Sequence, residues 1–114
     1  MQVFEDLRSA AATAYSIDVC SDNDRADLTF KVRMAISNVL TGFYNVTYTK
    51  VAKLIGRHYT TIVYYRKSHT KFYLSDDVYA EMYDYLSETA ARSFHAEEDE
   101  DMDQILELIQ MISD

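Results

Sequence analysis

The chain has 114 residues, of which 48% are hydrophobic and 26% charged, with a formal net charge of −8, two glycines, no proline and one cysteine. That length accommodates one domain with appendages rather than two, and the composition excludes a disordered chain, a collagen-like repeat and a disulfide-stapled scaffold. The scarcity of glycine and proline, which punctuate strands and tight turns, favours an all-α fold.

Val3, Phe4, Leu7, Ala11 and Ala14 recur at helical spacing and predict an amphipathic helix over residues 3 to 16. Glu5 and Asp6 stand where a secretory leader needs positive charge, and no stretch approaches the apolar length that spans a membrane. The polar run Asp18 to Asp27 breaks the helix. Cys20 has no internal disulfide partner, and His58, His69 and His95 have no thiols or paired carboxylates at ligand spacing. No metal or cofactor is expected, and a cytoplasmic setting fits best.

A second helix starts with Asp27 or Thr29 as N-cap, carries Leu28, Val32, Ala35, Ile36, Val39, Leu40 and Phe43 on its apolar face, and ends between Gly42 and Asn45. Thr47 caps a short third helix, Tyr48 to Ile55, with Val51, Ala52 and Ile55 inward. Gly56 supplies the relaxed backbone of a sharp turn. A fourth helix begins close to Thr60, with Ile62, Val63, Tyr65 and His69 or Phe72 around its inner side. Short helix, glycine turn and second helix with a basic face form a helix-turn-helix arrangement. Ser75 or Asp76 caps a fifth helix with Val78, Met82, Tyr85, Leu86 and, beside them, Tyr79 and Tyr83 at three- and four-residue spacing. Residues 1–94 therefore form one helix bundle. Residues 95–114 hold an acidic link, Ala96 to Asp103, and an amphipathic helix over 102–113 striped by Ile105, Leu106, Ile109 and Ile112.

Charge is partitioned along the chain. From Leu28 to Tyr73 there is no carboxylate, but Lys31, Arg33, Lys50, Lys53, Arg57, Arg66, Lys67 and Lys71 make that segment +8. The flanks hold all 19 acidic residues with only Arg8, Arg25 and Arg92, and sum to −16. A basic centre between acidic ends is the footprint of a nucleic-acid site, although mutual neutralisation within one fold would also bring such segments together.

The first residues of the second helix in a helix-turn-helix reach base edges. Arg57, His58, Tyr59, Thr60 and Thr61 hold that position here. Arg57 suits a guanine edge or a phosphate, His58 a base, and Tyr59 and Thr60 a thymine methyl or a phosphate. Tyr64, Arg66, Lys67 and Lys71 follow where the helix passes the backbone, and Lys50 and Lys53 on the preceding helix face the opposite phosphates. Thr60 also suits a helix cap, and Tyr59 also suits packing.

GRHYTTIVYYRKS, beginning at Gly56, resembles the GRDHTTVLHACRK signature that opens the recognition helix in the C-terminal DNA-binding domain of DnaA-type replication initiators. AATAYSIDV, ending at Val19, is similar to that domain's opening helix, Leu40-Thr41 to its Leu-Thr, and Leu74 to Leu86 to its closing helix. The resemblance covers residues 10 to 88. It implies a Trp-repressor-like helix-turn-helix that binds double-stranded DNA. Arg57, Thr60 and Thr61 are identical to the family's, and Arg66-Lys67 resemble its Arg-Lys one position earlier. Two departures stand out. His58-Tyr59 replaces the family's Asp-His, removing a carboxylate that accepts from cytosine, so the family's target box does not carry over. The family's basic minor-groove reader falls near Phe30, leaving Lys31 or Arg33 to substitute.

No GxxxxGK[ST] phosphate loop and no grouping of nucleophile, base and orienting residue occurs in the chain, so an enzyme is not expected. The chain is expected to bind double-stranded DNA sequence-specifically, in replication initiation, its control, or transcription regulation. A lone domain of this type suggests a phage- or mobile-element-encoded accessory protein in a bacterial or phage-infected cell. The alternative is a protein-interaction or inhibitor module, acidic and DNA-mimicking, on the same scaffold. Residues 102–113 would pack on the domain, mediate a homodimer or dock a protein partner, or let the acidic tail compete with DNA.

Overall fold

The computed structural model describes residues 1–21 and 27–93, and within them the chain forms five α-helices and no strand. Helix α1 (Gln2–Tyr15) buries Val3, Phe4, Leu7 and Ala11, while Ala14, expected on the same face, is exposed. Ser16 ends it in the left-handed region at φ 57°, its amide donating to the Ala12 carbonyl at 3.1 Å. Asp18 then holds the chain in a tight return. Its carboxylate accepts from Arg8 Nε at 3.0 Å, from Arg8 Nη2 at 3.2 Å and from the Cys20 amide at 3.0 Å. Ile17 and Val19 are buried on either side of it.

Helix α2 (Asp27–Phe43) is the central shaft, packed against α1, α3 and α4. Every residue from Val32 to Leu40 is buried, so this helix is enclosed on all sides rather than along a single stripe. Arg33 and the Asn38 amide nitrogen are tied by hydrogen bonds, while the buried Ser37 Oγ and Asn38 Oδ1 have no hydrogen-bond partner among the described residues. Arg33 donates to the Val19 carbonyl at 3.2 Å and to the Ser21 carbonyl, and Asn38 Nδ2 donates to the Tyr65 carbonyl and the Tyr79 hydroxyl, each at 3.1 Å. Three expectations are corrected here. Thr29 lies inside the helix and is buried, so it is not the cap; Leu28 and Phe43 are exposed, Phe43 by 60%. At that end the left-handed Asn45 (φ 53°) brings Val46 into the interior instead, and Phe43 stacks outside on Tyr83.

Helix α3 (Tyr48–Ile55) follows the sequence closely: Thr47 accepts the Lys50 amide at 3.2 Å, and Val51, Ala52 and Ile55 are buried. Gly56 closes it at φ 76°, with the Gly56 and Arg57 amides both donating to the Ala52 carbonyl at 2.9 and 3.0 Å. Helix α4 (Tyr59–Ser75) buries Ile62 and Tyr65 and half-buries His69 and Phe72. It ends at Ser75. Asp76, not Ser75, caps the fifth helix, α5 (residues 77–93), accepting the Tyr79 amide at 3.1 Å. Tyr79, Met82, Leu86 and Ala90 form its buried face, whereas Val78 and Tyr85 lie on the exposed side. Tyr85 meets Tyr15 edge-on at 6.1 Å, and Ser93 hydrogen-bonds to Asp6, so α5 closes the bundle against α1. The acidic link, the terminal helix and residues 22–26 lie outside the described residues.

Candidate nucleic-acid interface

The turn between α3 and α4 is shaped by backbone chemistry first. His58 is the N-cap of α4: its Nδ1 accepts the Thr60 amide at 3.2 Å and lies 2.9 Å from the Thr60 hydroxyl, while its carbonyl accepts the Thr61 amide at 3.0 Å. An acceptor Nδ1 puts the ring proton of a neutral imidazole on Nε2. Thr60, a candidate cap in the sequence, is instead the capped residue. His58 thus occupies amides at the start of α4 that a phosphate would otherwise take. Tyr59, 48% exposed, leans on Tyr48 of α3 at 6.1 Å, bracing the two helices across the turn.

Thr60, Tyr64, Lys67 and Lys71 are all exposed and fall at offsets of four, three and four, so they line one face of α4 over about 16 Å. Lys50 and Lys53 are exposed on α3, opposite its buried Val51, Ala52 and Ile55. Arg66 is exposed too but points elsewhere: a Cβ at Gly42 would lie 3.0 Å from its Nη1, so its guanidinium rests against the end of α2.

Two more candidates leave the interface. Arg33 is 2% exposed and its guanidinium is tied to the Val19 and Ser21 carbonyls, so it cannot reach a minor groove from this position. Lys31 Nζ sits between Asp27 at 2.9 Å and Asp76 at 2.8 Å. These carboxylates raise the Lys31 pKa, and the Lys31 hydrogen bond lowers that of Asp76. The Asp27–Lys31 pair follows helical i,i+4 spacing within α2, but the other partners come from the loop before α2 (Val19 and Ser21) and from the cap of α5 (Asp76), which spacing does not reveal.

Arg57 is half-buried, with Nη2 donating to the Ser21 carbonyl at 3.1 Å. With Thr60, Thr61 and Tyr64 it borders an open groove of about 410 Å³ whose remaining walls are Phe30 and Tyr65. No family model, curated protein or solved structure matches this chain. The groove joins Arg57, Thr60, Thr61 and Tyr64 to two aromatics, Phe30 and Tyr65, that helical spacing does not place at the interface. Phe30 left a faint signal, an aromatic ring off the apolar face predicted for α2.

Among the described residues no group of histidines, cysteines and carboxylates has the arrangement of a metal site, and no helix is long and apolar enough to cross a membrane. Cys20 donates to the Leu54 carbonyl at 3.3 Å, and burial raises its thiol pKa, which makes it a poor nucleophile.

Proposed function

We propose that this protein binds double-stranded DNA sequence-specifically through α3, the Gly56 turn and α4, in replication initiation, its control, or transcription regulation. The observation that carries the reading is the exposed Thr60, Tyr64, Lys67 and Lys71 face of α4 beside Lys50 and Lys53 of α3, within a segment that contains no carboxylate. The resemblance of GRHYTTIVYYRKS to the DnaA-type signature supports the same assignment, with Arg57, Thr60 and Thr61 at the base edges and the lysines on phosphates. His58 and Tyr59 stand where the family has Asp-His, so the family's target box is not carried over to this chain. Fluorescence anisotropy with duplexes bearing DnaA-like boxes, at two salt concentrations, tests it. Binding that weakens with salt and is lost in the Arg57→Ala/Lys67→Ala double variant is expected; no binding at low salt, or indifference to the double variant, overturns it.

One observation favours a second reading. Asp77, Glu81, Asp84 and Glu88 are exposed along one face of α5, an acidic stripe suited to a basic protein partner. Pull-down with a variant carrying Asn or Gln at these four positions separates the readings: a captured partner lost in the variant supports protein docking, and an identical set of captured proteins excludes it.

A further inference from the structure

We propose that the groove between α2 and the start of α4 receives an unstacked DNA base, so that this interface favours locally opened DNA over a fully paired duplex. The inference rests on the DNA-binding reading above and adds the form of DNA that the site selects.

The groove's composition carries the argument. The half-buried Phe30 is its flat apolar wall and the buried Tyr65 backs it, and Arg57, Thr60, Thr61 and Tyr64 supply a guanidinium and hydroxyls at the rim; no lining residue is acidic. Phe30 is held in place from two sides, edge-on to Tyr65 at 5.7 Å and to Phe72 at 5.9 Å, so its orientation is preset before any ligand arrives. Tyr64 is 52% exposed and meets Tyr65 at a tilt of 52°, not face to face, which leaves ring surface for a third plane. The volume, about 410 Å³, is of the size that ligand groups occupy.

A paired base presents only its edge to a protein in a duplex groove, and edges are read by hydrogen-bonding groups and methyl contacts. Aromatic walls recognise a base by its face, which becomes available only when the base leaves the stack. Arg57 at the rim, steadied by the Ser21 carbonyl, is placed to meet the phosphate or the edge of such a base.

The experiment compares a fully paired duplex with the same duplex carrying one bulged thymidine, by anisotropy, using the full chain and two variants, Phe30→Leu and Tyr64→Ala. The bulged duplex should bind roughly tenfold more tightly, because its unpaired base has already left the stack. Tyr64→Ala should weaken bulged-duplex binding by about 5- to 150-fold, the range for loss of one base-stacking ring, with a smaller effect on paired DNA. Phe30→Leu, which keeps apolar volume but removes the flat face, should do the same; if it fails to fold, the exposed Tyr64 variant alone decides. Equal affinity for the two duplexes, or the same fold loss for both in Tyr64→Ala, overturns the proposal and leaves duplex binding standing. Binding to neither duplex overturns both.

Discussion

The Tyr79 hydroxyl lies 2.7 Å from His69 Nδ1, joining α5 to α4 in the interior. Both Asn38 Nδ2 protons are engaged, one on Tyr79 and one on the Tyr65 carbonyl. Tyr79 accepts from Asn38, which leaves its hydroxyl proton available to donate to a neutral His69 whose own proton is on Nε2. Burial, with a smaller contribution from Arg66, lowers the His69 pKa below its ordinary 6.5, and burial holds the Tyr79 hydroxyl protonated by raising its pKa.

Stability should consequently fall in mild acid. Below pH 6.5 the unfolded chain protonates this histidine more readily than the folded one, so the contribution is complete above that pH and is lost as pH falls towards the depressed folded value. Urea midpoints measured from pH 7.5 to 5 should show the step in the native protein, and His69→Asn should remove it while leaving carboxylate transitions at lower pH.

Tyr79→Phe leaves an Asn38 N–H and His69 Nδ1 without their shared partner in the interior. A loss of about 1–3 kcal/mol is expected, read as a lower urea midpoint with an unchanged slope.

The α3–α4 turn should respond to backbone chemistry more than to volume. A Cβ at Gly56 meets nothing within 4 Å, yet the φ of 76° penalises any L side chain, so Gly56→Ala should cost about 1–2 kcal/mol. His58→Ala should cost about 1 kcal/mol through loss of the cap, and His58→Asn should restore most of it. Thermal unfolding of the three variants tests both statements.

Basic residues should separate into two groups. Lys67→Ala on the outer face of α4 should reduce the slope of log affinity against log salt by about 1, whereas Lys31→Met, already paired with Asp27 and Asp76, should leave it unchanged. Arg33→Met should destabilise the fold by about 1–3 kcal/mol by leaving the Val19 and Ser21 carbonyls without their donor. Anisotropy across a salt series and urea unfolding read the two effects independently.

Local chemistry was legible in the chain itself. Thr47, Gly56 and the Val51, Ala52 and Ile55 face of α3 follow from capping, left-handed backbone and helical spacing, each of which acts within a few residues. The basic centre between acidic flanks, and the order of five helices, follow from the linear arrangement of side chains. Tertiary packing decided what spacing cannot encode: how many sides of a helix are covered. Helix α2 is enclosed all round from Val32 to Leu40, so Arg33 and Asn38 became interior ties, while Phe43 and Val78, apolar and in phase, are exposed. The groove likewise exists only where α2 passes the start of α4. It brings Phe30 beside Arg57 and Thr60 through contacts between residues far apart in the chain, which no local propensity reports.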